Sequence, residues 1–324
     1  MSRNPFADTL SLPVVAAPMF LISGPKLVVE CCKHGVIGTF PALNQRSTEG
    51  FDQWLSEIEA ELEGASQADG RAPAPYGVNL IVHHSNPRVQ ADLEVVVRHR
   101  VPLVITSLGA VSELVDQVHS YGGLVFHDVT NRRHAEKAAA AGVDGLICVA
   151  AGAGGHAGTL NPMPFLAEMR SFFDGTILLS GCISTGGDVA SAMQMGADLA
   201  YLGTRFINTE ESRASDDYRQ MIIDSRTSDI VYTAAVSGVP ANFLRASLES
   251  MGITQEMWAQ KAKIDFGKEL DAAEAEAKAW KTLWSAGQGV TTISDVQPVS
   301  ALVARLRDEF RAAVSAQSEL LERY

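Results

Sequence analysis

The chain of 324 residues carries eight histidines, and one of them stands apart. His156 lies in Ala150-Ala151-Gly152-Ala153-Gly154-Gly155-His156-Ala157-Gly158, a loop with no other ionisable or bulky side chain. Glycine admits positive φ and lets a backbone press close against a flat ligand. An imidazole, with an unperturbed pKa of about 6.5, can take up and release a proton near neutrality. The pattern predicts a general base standing over a glycine floor; a solvated turn histidine is the alternative. The other histidines offer less. His34, His99, His119 and His134 fall on predicted helices and read as surface residues. His83 and His84 are adjacent rather than four apart on a helix face, so no metal site is expected.

A loop this rich in glycine needs a scaffold. Eight apolar runs recur along the first two-thirds of the chain: Val14–Ala17, Val36–Thr39, Tyr76–Leu80, Leu103–Thr106, Leu124–His127, Leu146–Val149, Ile177–Ser180 and Leu199–Leu202. They are continuous rather than alternating, as strands buried on both faces should be. Helix-like segments separate them: Pro25–Cys32, Phe51–Leu62, Asn86–His99, Val111–Tyr121, Asn131–Ala141 and Gly187–Met195. The succession predicts an α/β fold, a TIM (β/α)₈ barrel. An open doubly wound sheet fits less well, because no G-x-G-x-x-G follows the first strand and the unusual residues cluster after many strands.

After the eighth run the pattern changes. Thr209 to Leu283 is polar and helical with no clear strand, with a turn at Ser237–Asn242 and an Ala/Glu/Lys helix at Asp271–Trp280. This predicts a smaller helical cap over the barrel mouth. Val299–Leu321 reads as an amphipathic helix returning to the wall. The expected division is a barrel over 1–208, completed by 284–324, with 209–283 as the cap. The stretch from Ala65 to Pro75 reads as a mobile loop.

Ligands of such barrels bind at the C-terminal strand ends. Those ends carry Ala17-Pro18-Met19, Asn79, Thr106 and Ser107, His127 and Asp128, the 150–158 loop, Ser180-Gly181-Cys182-Ile183, and Gly203-Thr204-Arg205. Gly181 and Gly203 leave backbone N–H groups available to an anion, Thr204 adds a hydroxyl, and a helix is expected to begin after each loop. One phosphate is therefore expected here, with plain strand-end turns as the alternative. A phosphate, a glycine floor and an Ala-Pro-Met turn suit flavin mononucleotide. The turn would contribute only its backbone, and Asn79 either an amide for the ring or a core hydrogen bond. Only one of His127 and Asp128 should face the barrel interior.

Composition narrows the class. Hydrophobic residues make up 46% and charged residues 20%, and the net charge of −12 argues against a nucleic-acid or anionic-membrane partner. No signal-peptide core or membrane-length run is visible, and the four cysteines (Cys31, Cys32, Cys148, Cys182) lack C-x-x-C spacing. Reduced thiols in a cytoplasmic protein are expected.

The chain resembles the nitronate monooxygenase family, formerly 2-nitropropane dioxygenases. Their superfamily includes FMN-dependent enoyl-ACP reductases and NAD(P)H:quinone reductases. The resemblance is carried by Ala17-Pro18-Met19, Gly77-Val78-Asn79-Leu80, Gly152 to Gly158, Ser180-Gly181-Cys182-Ile183, Met195-Gly196-Ala197-Asp198, Leu202-Gly203-Thr204-Arg205-Phe206 and Trp284-Ser285-Ala286-Gly287-Gln288. It implies non-covalent FMN, with His156 as catalytic base. Cofactor contacts are implied at Ala17, Pro18, Met19, Asn79, Thr106, Asp128, Ala150, Gly154, Gly155, Ser180, Gly181, Cys182, Gly203, Thr204 and Gln288. The implied substrates are a nitronate or nitroalkane and O2, giving a carbonyl compound and nitrite, in a protein that can form a homodimer. An FMN-dependent NAD(P)H oxidoreductase and an idle flavin-binding barrel are the other readings. The chain departs from the family pattern at Ala16 (often Gln), Gly152 (often Glu), Asp128 (Lys in some members) and Ser180-Gly181-Cys182 (usually Ala-Gly-Gly).

Overall fold

The apolar runs close on themselves. A computed structural model describes residues 3–324 apart from 84, 110, 237 and 259–282. Strands β1 (Val14–Ala16), β2 (Ile37–Pro41), β3 (Tyr76–Ile81), β4 (Leu103–Ser107), β5 (Leu124–Val129), β6 (Gly145–Val149), β8 (Thr176–Ser180) and β9 (Leu199–Leu202) form a closed barrel, and the short β7 (Gly155–His156) lies outside it. Every barrel pairing is parallel, and Val15 lies opposite Tyr201 where β9 closes on β1. Alternate residues explain why the runs show no polar phase. Val15, Ile37, Leu103, Ile105, Phe126, Ile147, Leu178 and Leu199 fill the interior. Their neighbours Val14, Val78, Val104, Val125, Leu146, Leu179 and Ala200 pack outward against the helices.

Helices α1 (Pro25–Lys33), α2 (Thr48–Leu62), α3 (Val89–His99), α4 (Ser112–His119), α5 (Arg132–Ala140), α6 (Pro162–Arg170) and α7 (Gly186–Gln194) surround the barrel. Their starts follow local chemistry: the side chains of Ser47, Asn131 and Asn161 each accept a first-turn N–H, and Thr185 with Asp188 forms a reciprocal capping box. Helix α6 is absent from the sequence reading. Its short buried stripe of Phe165, Leu166 and Met169 leaves little periodicity to detect. After β9 comes a single turn, α8 (Thr204–Ile207), and the eighth helix position is filled from the far end of the chain by α12 (Val299–Arg323), packed on α7 and α1. Arg205 is fully buried and braces this closure. Its Nη2 donates to Asp295 Oδ1 at 3.0 Å, and Arg305 reaches the same carboxylate at 2.9 Å.

The segment between α8 and α12 is not purely helical. It contains α9 (Asp216–Asp224), β10 (Ile230–Thr233), β11 (Ala241–Leu244), α10 (Arg245–Ser250) and α11 (Gln255–Trp258). Strands β10 and β11 are antiparallel, and β11 also pairs with β7. This corrects the expectation of a strandless cap. Each strand is only four residues long, too short for alternation to register, and the pairing with β7 is non-local. The expected helix at Asp271–Trp280 lies outside the described residues. Ala286, Val290 and Ile293 pack with Ile207, Tyr218, Ile222 and Leu244, so the C-terminal return packs against the segment that follows β9 before it reaches the barrel wall. Among the described residues no helix is long and apolar enough to cross a membrane.

Gly186 shows how tightly α12 closes the ring. A Cβ there would fall inside contact distance of the Leu306 carbonyl oxygen and the Phe310 nitrogen, whereas one on Gly187 would meet only Thr185 Oγ1 at 3.6 Å. Gly186→Ala is expected to destabilise the chain by about 2 kcal/mol through overpacking. Gly187→Ala should leave the urea midpoint nearly unchanged. Equal midpoints for the two variants would show that α12 is not held this closely.

Candidate active site

Backbone strain collects at one end of the barrel. Among the described residues four non-glycine residues have positive φ, and three of them, Leu21 (61°), Leu108 (62°) and Cys182 (60°), lie in loops that follow β1, β4 and β8. The fourth, Arg100, ends a helix. Side chains held in the left-handed region cost free energy and persist where the surroundings dictate them, often at functional sites. The glycine loop opens on this same rim.

That loop is held almost entirely from outside. Ala150 N–H donates to Ser180 O at 2.9 Å and Ala151 N–H to Leu160 O at 2.8 Å. The Gly152 carbonyl accepts from Gln288 N–H at 2.9 Å, and the Ala153 carbonyl accepts from the buried Asn242 side chain at 2.7 Å. Gly155 and His156 pair with Asn242 and Ala241 of β11, and Tyr232 OH donates to the Ala157 carbonyl at 3.1 Å. Glycine is required at Gly152, where φ is +81° and a Cβ would meet Cys182 Sγ at 2.5 Å and Gln288 Oε1 at 2.8 Å. The glutamate often found there in the resembling family would have no room. His156 emerges exposed at the rim, and no described residue comes within 4 Å of the Cβ position of Gly155 beside it.

The loops after β8 and β9 supply donors. Among the described residues the N–H groups of Gly181, Cys182, Ile183, Gly203 and Thr204 have no protein acceptor. Gly181 has a φ of +121°, and Gly203 opens onto Ala17 and Met19, whose nearest atoms lie 3.8–3.9 Å from its Cβ position. Thr204 Oγ1 accepts from Gly287 N–H at 2.9 Å, leaving its own hydrogen to donate. One expectation changes. The N-terminus of α7 is already neutralised: Asp188 accepts from Ser184 and Thr185 N–H at 3.0 and 2.9 Å, and Glu309 accepts from Gly186 N–H at 2.7 Å. The donors for an anion are the loop amides themselves, not the end of this helix.

The Ala17-Pro18-Met19 turn is also partly committed. Met19 N–H donates to Ser23 Oγ at 3.0 Å, Met19 O accepts from Asn44 at 3.0 Å, and Ala17 N–H donates to Leu202 O at 2.8 Å. The Pro18 carbonyl is the backbone group left available.

Inside the mouth the strand parity decides which polar residues meet. Asn79 Nδ2 donates to Ser107 Oγ at 2.7 Å, and Ser107 Oγ donates to Asp128 Oδ2 at 2.5 Å. Ser180 and Tyr201 occupy inward positions of β8 and β9. Thr106 does not join them. It is 1% exposed, faces the helix layer and bonds His127 Nδ1 at 2.7 Å, so the hydroxyl at the rim is that of Ser107. Of the pair after β5, Asp128 faces inward and His127 outward. Burial lowers His127 to a pKa of about 4 and keeps it neutral. Burial raises Asp128 to about 6, against the opposing effect of the Ser107 hydroxyl. Cys182 and Gln288 are exposed at the rim, their side chains 3.9 Å apart. Of the helix histidines, His99 is no simple surface residue, since its ring bridges Asp52 at 2.6 Å and Glu59 at 3.0 Å. Sequence reasoning missed Asn242, Glu309 and the bond from the Tyr232 hydroxyl to Ala157, all of which depend on distant partners. Ser107 was within reach of a period-two argument from the buried Ile105.

A family profile described as nitronate monooxygenase matches residues 5–309. A nitronate monooxygenase of Paraburkholderia phytofirmans is 26% identical over 93% of this chain and 93% of its own. A nitroalkane oxidase structure from Streptomyces ansochromogenes superposes with a TM-score of 0.78 at 24% identity, covering 96% of this chain and 99% of the other. FabK from Thermotoga maritima gives a TM-score of 0.82 at 21% identity, covering 99% of each chain.

The raised Asp128 pKa makes a prediction about stability. Its carboxyl stays protonated in the folded chain up to about pH 6, against an ordinary value of 3.8. The contribution is fully present below the unfolded value and is lost as pH rises through the folded one. From about pH 4 to 6 this group should cost the unliganded protein up to about 3 kcal/mol. Asp128→Asn should abolish that loss, so its urea midpoint should gain on the wild type across the interval. Parallel pH profiles would show that Asp128 is not desolvated.

Proposed function

The chain belongs to the nitronate monooxygenase family, and from that premise we propose that it is an FMN-dependent oxidoreductase that oxidises alkyl nitronates, or nitroalkanes, with O2 to carbonyl compounds and nitrite. The observation that supports the reading is the pair of loops whose five N–H groups lack protein acceptors among the described residues, set beside the His156 imidazole on a glycine-lined strand. Gly181, Cys182, Ile183, Gly203 and Thr204 would hold the phosphate, with the Thr204 hydroxyl as a further donor. The glycine floor, the Ala17-Pro18 turn and the Asn79 amide would border the ring. When bound, the flavin supplies an electron acceptor for the nitronate and passes electrons to O2.

The remaining work falls to this chain's own groups. His156 takes the α-proton from a neutral nitroalkane, giving the nitronate. Its backbone is fixed by the β7–β11 pairing and by Tyr232 OH on Ala157. The open space beside Gly155 leaves room for a small substrate near the imidazole.

The test uses the purified protein. It should be yellow and release FMN on denaturation. Under anaerobic conditions propionate 3-nitronate should bleach it and NAD(P)H should not. Bleaching by NAD(P)H alone would favour a quinone or enoyl-thioester reductase. His156→Ala should lower turnover of a neutral nitroalkane by about 10²–10⁴-fold. The preformed nitronate needs no deprotonation, so its rate should fall much less. Unchanged rates with both substrates would remove His156 from the chemistry.

A further inference from the structure

Asp128 is the one acidic residue on the inward face of the barrel strands among the described residues, and no lysine or arginine shares that face. Its neighbours can be named from each element. Strands β3 and β4 present the neutral Asn79 and Ser107, β6 presents apolar Ile147 and Val149, and β8 presents Ser180. Strand β9 presents the Tyr201 phenol, which burial, with Asp128 adding to it, holds well above its ordinary range. His127 of the same strand faces outward, and the rim imidazoles stand outside the barrel strands, His83 after β3 and His156 on β7. The Ser107 hydroxyl fixes Asp128 Oδ2, and Asn79 fixes Ser107 in turn. Oδ1 has no protein partner among the described residues and is the oxygen open to a proton.

Among the described residues, the inward face of the barrel strands has no lysine or arginine to neutralise charge delivered into the mouth. An electron pair arriving there must draw in a proton or stand beside a carboxylate. Like charges at close range in a poorly solvated site strongly favour protonation of one of them. We propose that Asp128 is the site that takes up a proton when a flavin bound in the mouth receives two electrons. The inference rests on the cofactor assignment above. Two electrons, from dithionite as an external reductant, and one proton enter the ring. A second proton, from solvent, bonds to Asp128 Oδ1, and the carboxylate becomes a carboxyl. The net charge of the mouth is then the same before and after reduction.

The test is a reduced-minus-oxidised infrared difference spectrum of the FMN-loaded protein above neutral pH, with potentiometry over the same range. Reduction should produce a protonated-carboxyl band that Asp128→Asn lacks and Asp128→Glu retains at a shifted frequency. Ser107→Ala should also shift the band, because a hydrogen bond to the carboxyl is lost. This second variant carries the test if Asp128→Asn does not fold. The reduction equilibrium should fall about a hundredfold per pH unit in the wild type and about tenfold in Asp128→Asn, reflecting two protons against one. If wild type and variant both bind FMN and the carboxyl band is missing, or is unmoved by the substitutions, this inference is overturned while the cofactor assignment stands. If the wild type binds no FMN, the cofactor assignment falls, and this inference with it.

Discussion

A run of nine residues with one functional side chain cannot hold its own shape, and that constraint governs the candidate site. The 150–158 loop contributes only the small Ala150 side chain to the core clusters, and glycine loses more conformational entropy on ordering than any other residue. Its order comes from elsewhere: β11 pairs with it on one side, the Asn242 and Tyr232 side chains hold its carbonyls, and the Gly287–Gln288 segment lies across it. Where the loop bends most tightly, the space a side chain would fill is taken by Cys182 and Gln288. His156 therefore has a defined position only when the barrel, the cap strands and the C-terminal return are all in place.

The barrel contributes a different kind of control. Because every strand is buried on both faces, a residue's parity decides whether its polar group belongs to the mouth or to the wall. Thr106 and Ser107 are chemically close and adjacent, yet one hydroxyl is committed to His127 outside the strands and the other to Asp128 inside. The two titratable groups of β5 are separated in the same way. Burial acts on both, in opposite directions: it strips the charge from an outward imidazole and resists the charge on an inward carboxyl.

Much of the barrel was legible because it is written in local pattern. Eight continuous apolar runs and the glycine or asparagine punctuation around the helices are short-range signals, and all eight runs became barrel strands. The features that escaped are those in which the partner is distant. Strands β10 and β11 owe their existence to each other and to β7, some 75 residues earlier, a separation set by the Tyr232–Ala157 contact. Arg205, next to the candidate phosphate loop in sequence, turns instead into the wall to hold Asp295, which no spacing rule would indicate. The end of α7 looked available to an anion until Glu309, from the closing helix, was found across it. Loop glycines marked where a ligand could approach; only the assembled structure decides which amides remain free to meet it.

Those amides show why the two halves of the mouth need different treatment. On the side of Gly181 and Gly203 the unpaired groups are donors, fixed by backbone and insensitive to pH across the working range. On the side of Asp128 the groups are an amide, a hydroxyl and a carboxyl, and only the carboxyl can change charge. A ligand with a permanently charged end and a ring of variable charge fits such a division. The permanent anion meets fixed dipoles, which cost no reorganisation. The variable end meets Asp128, the one carboxyl on the inward face of the barrel strands among the described residues. A cation at the strand β5 position would attract charge but could not absorb it. An aspartic acid whose pKa burial has raised to about 6 can do so by taking up a proton.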